Sequence, residues 1–368
     1  MSQLDDVAQL RPWLRLLQTE GVGNQTGRVL LTAFGMPEAI FSASYAQLTA
    51  LVSPRVARAL LQPPSAAQQN QFERTLAWLA QPGHRIVTLA DADYPPALLQ
   101  IADPPLLLYL KGRAELLPLS ALAVVGSRNA TIQGVLNAER FSEAVSRAGI
   151  SVISGLALGI DAAAHRGGLR GSGASVAVIG TGIDIDYPAS NRSLARQLAQ
   201  EGCIVSEYQL GTPPQAGNFP RRNRLISGLA HAVLVVEAAA RSGSLITANI
   251  ALEQGRDVMA IPGSIHSPLS KGCHFLIKQG AKLVESVDDI LQEFQRFQSA
   301  PSTLTPAHPL LDQTGKRVMQ ALGFDPVDAD SLSQSSGLAP AQLHAQLLQL
   351  ELDGLIESLP GARYRRLD

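Results

Sequence analysis

Cysteine is nearly missing from this chain: Cys203 and Cys273 are the only two in 368 residues, and they form no CxxC pair. That excludes a disulfide framework and a Cys-based zinc site, and it fits a reducing cytosol. An excess of charge is missing as well. The net charge is −1, so bulk attraction cannot coat a nucleic acid with this protein. No apolar run reaches the length of a membrane span. The start, MSQLDDVAQLRPW, has neither the basic head nor the apolar core of a signal peptide. The expectation is a soluble cytoplasmic protein with no membrane partner. Two nucleotide signatures are also wanting. No GxxxxGK[ST] occurs, GSRNAT at 126–131 does not fit GxGxxG, and GTGIDI at 180–185 fits it only in part. Neither a nucleophile triad nor a metal-ligand cluster stands out, so no enzyme activity, metal or cofactor is expected.

What is present is globular. Hydrophobic residues make up 46% and charged residues 17%. The length suits two or three domains. Residues 1–84 read as a helical block, with apolar residues at helical spacing around Leu14, Leu30 and Leu60. Gly21-Val22-Gly23 interrupts it in the manner of a helix-hairpin-helix turn. Such a turn can offer N–H groups to a phosphate, but a plain helical hairpin accounts for it better. Residues 85–297 alternate apolar strands with amphipathic helices. Their continuous Val/Ile/Leu character predicts strands covered on both faces, in a doubly wound, mostly parallel sheet. Residues 298–309 are rich in Ser, Pro, Thr and Gln and read as a linker. Residues 310–368 read as three helices and a β-ribbon ending in Arg363, Arg365 and Arg366, the pattern of a winged helix. Its would-be recognition helix, AQLHAQLLQLELDG at 341–354, carries no Lys or Arg. A protein contact or structural role is therefore favoured there over major-groove reading.

Charge is unevenly placed. Residues 121–280 hold 14 Lys and Arg against 10 Asp and Glu, while the remainder holds 16 against 21. A polyanion site belongs in the middle of the chain. There, glycines recur at strand ends: Gly126-Ser127-Arg128, Ser154-Gly155 and Gly180-Thr181-Gly182. Glycine admits a phosphate to the backbone, and a following helix start favours an anion. The segment NFPRRNRLISGL at 218–229 adds Phe219 with Arg221, Arg222, Asn223 and Arg224. A flat ring beside guanidinium forks suits the base and backbone of a single strand. Ser242, Gly243 and Ser244 form a turn that opens a further helix, and Lys271 could extend the cationic track. Asp161 and His165 share a helix face. A helix cap with a packed or paired histidine explains them better than a metal or catalytic pair. Asp184 and Asp186 read as turn residues paired with arginine rather than magnesium ligands. Cys273 reads as a buried small residue.

Together these strings resemble the DprA family, the DNA-processing proteins of natural transformation. The resemblance rests on VGSR at 125–128, SGLALGID..AH at 154–165, IGTGID..YP..N at 179–191, FPRRNRLISGL at 219–229, SGSLITA at 242–248 and PG…KGC at 262–273, and it covers about 85–285. It implies an extended Rossmann-like core flanked by an N-terminal SAM-like region and a C-terminal winged helix. It also implies single-stranded DNA binding, loading of the RecA recombinase, and a homodimer built on the core. The apolar helix at 275–277, or a neighbour of it, is the expected dimer surface. The family's DNA pocket carries over to Gly126, Ser127, Arg128, Phe219, Arg222, Asn223 and Arg224, with Ser154, Gly155, Ser242, Gly243, Ser244 and Lys271 as matching loop positions. Arg221 adjoins them. The alternative is a LOG-type nucleotide phosphoribohydrolase with a similar core. Its PGGxGTxxE loop would correspond to 241–247, which lacks the double Gly and the Glu.

Overall fold

Runs of Val, Ile, Leu and Ala become strands buried on both faces. The structure is a computed structural model that describes residues 3–299, 313–322, 327–353, 355–359 and 362–366. It divides into two units, 1–295 and 296–368. In the first, nine strands among the described residues form one sheet. They are β1 (His84–Thr88), β2 (Leu107–Gly112), β3 (Ala121–Val125), β4 (Ser151–Ser154), β5 (Ser175–Val178), β6 (Cys203–Ser206), β7 (Ala232–Val235), β8 (Asp257–Ala260) and β9 (Lys282–Leu283).

The order across the sheet is β1-β2-β6-β5-β4-β3-β7-β8-β9. From β6 to β9 every pairing is parallel, whereas β1–β2 and β2–β6 are antiparallel. The fold is thus doubly wound and mostly parallel, and the antiparallel edge is a detail that apolar runs do not reveal. Alternation along β3 serves both faces. Ala121, Ala123 and Val125 enter one apolar cluster, while Leu122 and Val124 enter another. Strand order reverses at β3: β4, β5 and β6 step away on one side, and the chain then returns to place β7 on the other. A crevice opens beyond the strand ends at such a reversal.

The N-terminal helices join this body. Leu14, Leu16, Leu30 and Trp78 share one buried cluster with Leu106, Tyr109, Ile179 and Leu210 of the sheet region. Polar ties reinforce it. Gln71 Nε2 donates to the Leu210 carbonyl at 2.8 Å, and Arg28 pairs with Asp103 at 2.7 Å. At the Gly21–Gly23 turn, Gly21 takes φ +82°, which glycine reaches without strain. The helix it precedes, Asn24–Phe34, begins beside carboxylates. Asn24 Nδ2 lies 3.4 Å from Asp103 Oδ2 and 3.3 Å from Glu207 Oε2. A phosphate there would meet two acids, so the helical-hairpin reading stands.

In the second unit, helices Gln313–Leu322, Ala329–Ser336 and Pro340–Leu352 accompany strands β10 (Val327–Asp328), β11 (Ile356–Leu359) and β12 (Arg363–Arg366). These form a sheet ordered β10-β12-β11, the wing of a winged helix. The short β10 has no counterpart in the sequence reading. Helix Val287–Ser299 includes the first two residues of the expected 298–309 linker; the others lie outside the described residues.

Candidate nucleic-acid interface

Connections after β3, β4, β5, β6 and β7 converge on one cleft of about 700 Å³ at the strand-order reversal. Its position is held by Glu237, the second residue after β7. The Glu237 carbonyl accepts the Ser127 N–H at 2.8 Å. Its carboxylate accepts the Thr131 N–H at 2.9 Å and the Thr131 hydroxyl at 2.5 Å. Thr131 in turn caps helix Ile132–Arg147 through the Gly134 N–H at 3.0 Å. One carboxylate therefore fixes the β3 loop against the β7 loop. Gly126 makes this possible, because a Cβ there would sit 2.6 Å from Ile160 Cγ1 and 2.9 Å from the Glu237 carbonyl.

Nine of the fourteen expected residues line this cleft. Gly126, Ser127 and Arg128 come from the β3 loop, Phe219, Arg222 and Asn223 from helix Asn218–Gly228, and Ser242, Gly243 and Ser244 from the start of helix Gly243–Glu253. Arg128 is exposed and in no ion pair among the described residues. Its guanidinium lies 5.9 Å from the centroid of the half-buried Phe219 ring. Gly243 has open space where a Cβ would stand, so a ligand can approach the backbone. Ser242 caps that helix by accepting the Ser244 N–H at 3.3 Å on its hydroxyl and the Leu245 N–H at 3.1 Å on its carbonyl, which leaves the Gly243 N–H open to a ligand.

Arg222 is a different kind of arginine. It is 4% exposed and donates to the Val178 carbonyl. Gly155 leaves room for it, since a Cβ at Gly155 would collide with the Arg222 guanidinium and the Asp161 carboxylate. Gly155 itself lines an adjoining recess of about 90 Å³ rather than the main cleft. Burial pushes the Arg222 guanidinium down to about 10, with Asp161 opposing and Arg128 adding to the shift. Burial likewise pushes the Asp161 carboxyl up, against the pull of Arg222 and the loop N–H groups. Arg222 thus sets positive potential from beneath the cleft floor.

The Asp161–His165 expectation holds for a packed histidine, since His165 is fully buried, but not for the cap. Gly159, not Asp161, occupies the cap position, and Asp161 accepts the Ala157 N–H at 3.4 Å. His165 does not pair with Asp161. Its Nε2 accepts the Leu156 N–H at 3.2 Å, which leaves the ring proton on Nδ1, 2.8 Å from Ser175 Oγ. Burial, with Arg222 and Arg166 nearby, lowers the His165 pKa to about 3. Asp184 and Asp186 do pair with Arg74 and Arg192, at 3.5 and 3.1 Å. Cys273 is fully buried and its thiol is pushed up to about 11.

Four expected residues stand apart from the cleft. Ser154 is fully buried beneath the sheet end, and its hydroxyl donates to the Val124 carbonyl at 2.7 Å. Arg221 is exposed but outside the lining. Arg224 is turned away and ion-pairs with Glu207 and, at 3.4 Å, with Asp103. The same two acids are reached from the N-terminal helices by Asn24 and Arg28. Lys271 Nζ donates to the Ile265 carbonyl at 2.5 Å and braces its own loop. Sequence reading missed Tyr187, Asn129, Ala216 and Ile246 in the lining. Tyr187 carried the clearest signal, an aromatic just past a glycine-rich strand end.

A family model described as DNA recombination-mediator protein A matches residues 85–295, and one for the DprA winged helix domain matches 301–362. Protein Smf of Escherichia coli (strain K12) is 41% identical over 304 residues, spanning 81% of each chain. DNA processing protein DprA of Streptococcus pneumoniae is 47% identical over 208 residues, 56% of this chain and 73% of that one. Its X-ray structure superposes with a TM-score of 0.67 at 38% identity, covering 75% of this chain and 95% of that chain. A structure of DNA processing protein A from Helicobacter pylori, titled for its single-stranded DNA binding mode, gives 0.53 at 26% identity, covering 58% and 97%.

Proposed function

This chain belongs to the DprA family of DNA recombination-mediator proteins, and on that premise we propose that it binds single-stranded DNA in the cleft and passes the strand to a RecA-type recombinase in the cytoplasm. One observation carries the DNA reading. The unpaired Arg128, the Phe219 ring and the open N-terminus of helix Gly243–Glu253 meet in a single cleft. A cation and an open helix-start N–H suit phosphate, and a ring suits an unstacked base, which a duplex does not offer. Few cations line the cleft, so most of a long strand stays accessible for another protein to polymerise on. The loading step is tested by strand exchange on DNA precoated with single-strand-binding protein. The protein should accelerate recombinase nucleation, and Arg128→Glu should abolish the effect. No acceleration by a wild type that binds the DNA would leave a binding or protective role alone.

The role is mediation rather than catalysis. Of the acids beside the cleft, Glu237 is engaged by Thr131, and Asp161 is buried next to Arg222. No turnover of nucleoside monophosphates or triphosphates should occur above a protein-free control. Steady hydrolysis lost on substitution within 242–247 would restore the phosphoribohydrolase alternative.

The protein acts as a homodimer through its core, which would give one long strand two cleft contacts and so raise avidity. In helix Lys271–Lys278, Leu276 is buried, so the expected 275–277 surface reduces to Phe275, 51% exposed, with the partly buried Ile277. Sedimentation equilibrium should give a dimer mass that Phe275→Glu lowers toward the monomer.

A further inference from the structure

Phe219 is less open than a lone stacking ring would be. It is half buried, Tyr187 packs 5.4 Å from its centroid with the planes at 34°, and the Gly180 backbone lies beneath it. Arg128 approaches the same ring at 5.9 Å. Tyr187 is 44% exposed and borders both the cleft and the recess of about 90 Å³. Its ring is therefore braced by Phe219 and still largely free.

The recess beside it is walled by Leu156, Ile179, Gly180 and Pro188, with Arg128 and Arg222 also in its lining. Of the hydroxyls in its lining besides that of Tyr187, the one on Thr181 is engaged with the Ile185 carbonyl at 3.4 Å. Such a place offers a flat apolar contact and, apart from the phenol of Tyr187 itself, no free side-chain hydroxyl to read a base edge. That chemistry suits sequence-tolerant stacking.

We propose that Tyr187 is the principal base-stacking face of the cleft, with Phe219 as its backing and Arg128 placed for the adjoining phosphate. A base leaving the stack of a single strand covers the Tyr187 ring at the mouth of the recess, its polar edge toward the open cleft. The bland alternative is a surface tyrosine that only supports Phe219. This inference rests on the single-strand reading, and its test separates the two.

Full-length protein is titrated with fluorescein-labelled oligo-dT and with an abasic strand of equal length. Tyr187→Ala should weaken oligo-dT binding roughly 5- to 150-fold, the range of one lost base stack, and leave the salt slope unchanged. Tyr187→Phe should restore wild-type affinity. On the abasic strand, wild type and Tyr187→Ala should bind alike. Tryptophan fluorescence of Tyr187→Trp should be quenched by oligo-dT and not by the abasic strand. Unchanged oligo-dT affinity in Tyr187→Ala, or an equal loss on both strands, overturns the role of Tyr187 while the cleft reading stands. Failure of the wild type to bind either strand overturns both.

Discussion

Arg222 and Arg224 lie two residues apart and face opposite ways. At 3.6 residues per turn, two residues rotate the helix by about 200°. Arg222 therefore enters the cleft floor, and Arg224 enters the acidic clasp of Asp103 and Glu207. The type and number of these arginines were legible in the sequence. Their division was not, because it depends on the phase of helix Asn218–Gly228 and on acids from distant segments. The side chains of Arg224 and Glu207 are 11% and 5% exposed. Arg224→Ala should therefore destabilise the fold by about 3–5 kcal/mol, as expected when a buried pair loses one member. Single-strand affinity at saturating fold should change little. Arg128→Ala should do the reverse, leaving the melting temperature alone and lowering the salt slope of binding by about one. Chemical denaturation and salt titrations of both variants check the contrast. His165 makes a pH prediction. Its folded pKa of about 3 lies below the ordinary 6.5, so its contribution to stability is complete above pH 6.5. That contribution falls as pH drops through this window toward 3, because the unfolded state binds the extra proton first. The slope is at most about 1.4 kcal/mol per pH unit for one proton. His165→Gln should be less stable at pH 7 and show a flatter stability profile between pH 6.5 and 4.

At the scale of elements, the alternation of strands and helices over 85–297 was legible, since unbroken Val/Ile/Leu runs suit strands covered on both faces. Their order was not, because pairing is a tertiary choice; the antiparallel attachment of β2 to β6 leaves no local mark. The strand-end glycines were legible as loops, but their reasons differ. Gly126 allows the Glu237 weld, Gly155 makes room for the Arg222 and Asp161 side chains, and Gly243 leaves the helix start open. Gly155→Ala should consequently be the most damaging of the three alanine substitutions, at about 1–3 kcal/mol or more, because the groups it displaces are buried. It should also weaken single-strand binding by moving Arg222. Gly243→Ala should be tolerated. Thermal melts beside binding curves rank the three.

At the scale of the whole molecule, the sequence reading set the helical residues 1–84 apart from the sheet. The structure gives them a shared buried cluster and the Arg28–Asp103 tie. Composition shows where a helical pattern ends, not which apolar face covers another. Removing residues 1–84 should therefore expose Leu106 and Leu210, increase dye binding to apolar surface and promote aggregation. Ending the chain at residue 299 should leave the first unit folded. Fluorescent-dye binding and light scattering on the two truncations check this. The proposed function requires a single strand to occupy the cleft at the β3–β7 reversal. Photo-crosslinking of a 5-iodouracil-substituted single strand to the full chain, with the adducts mapped by mass spectrometry, tests it most directly. Adducts are expected on the peptides that carry Tyr187 and Phe219, reduced in Arg128→Glu. Adducts confined to residues 313–366, or to the helices before residue 80, would contradict it.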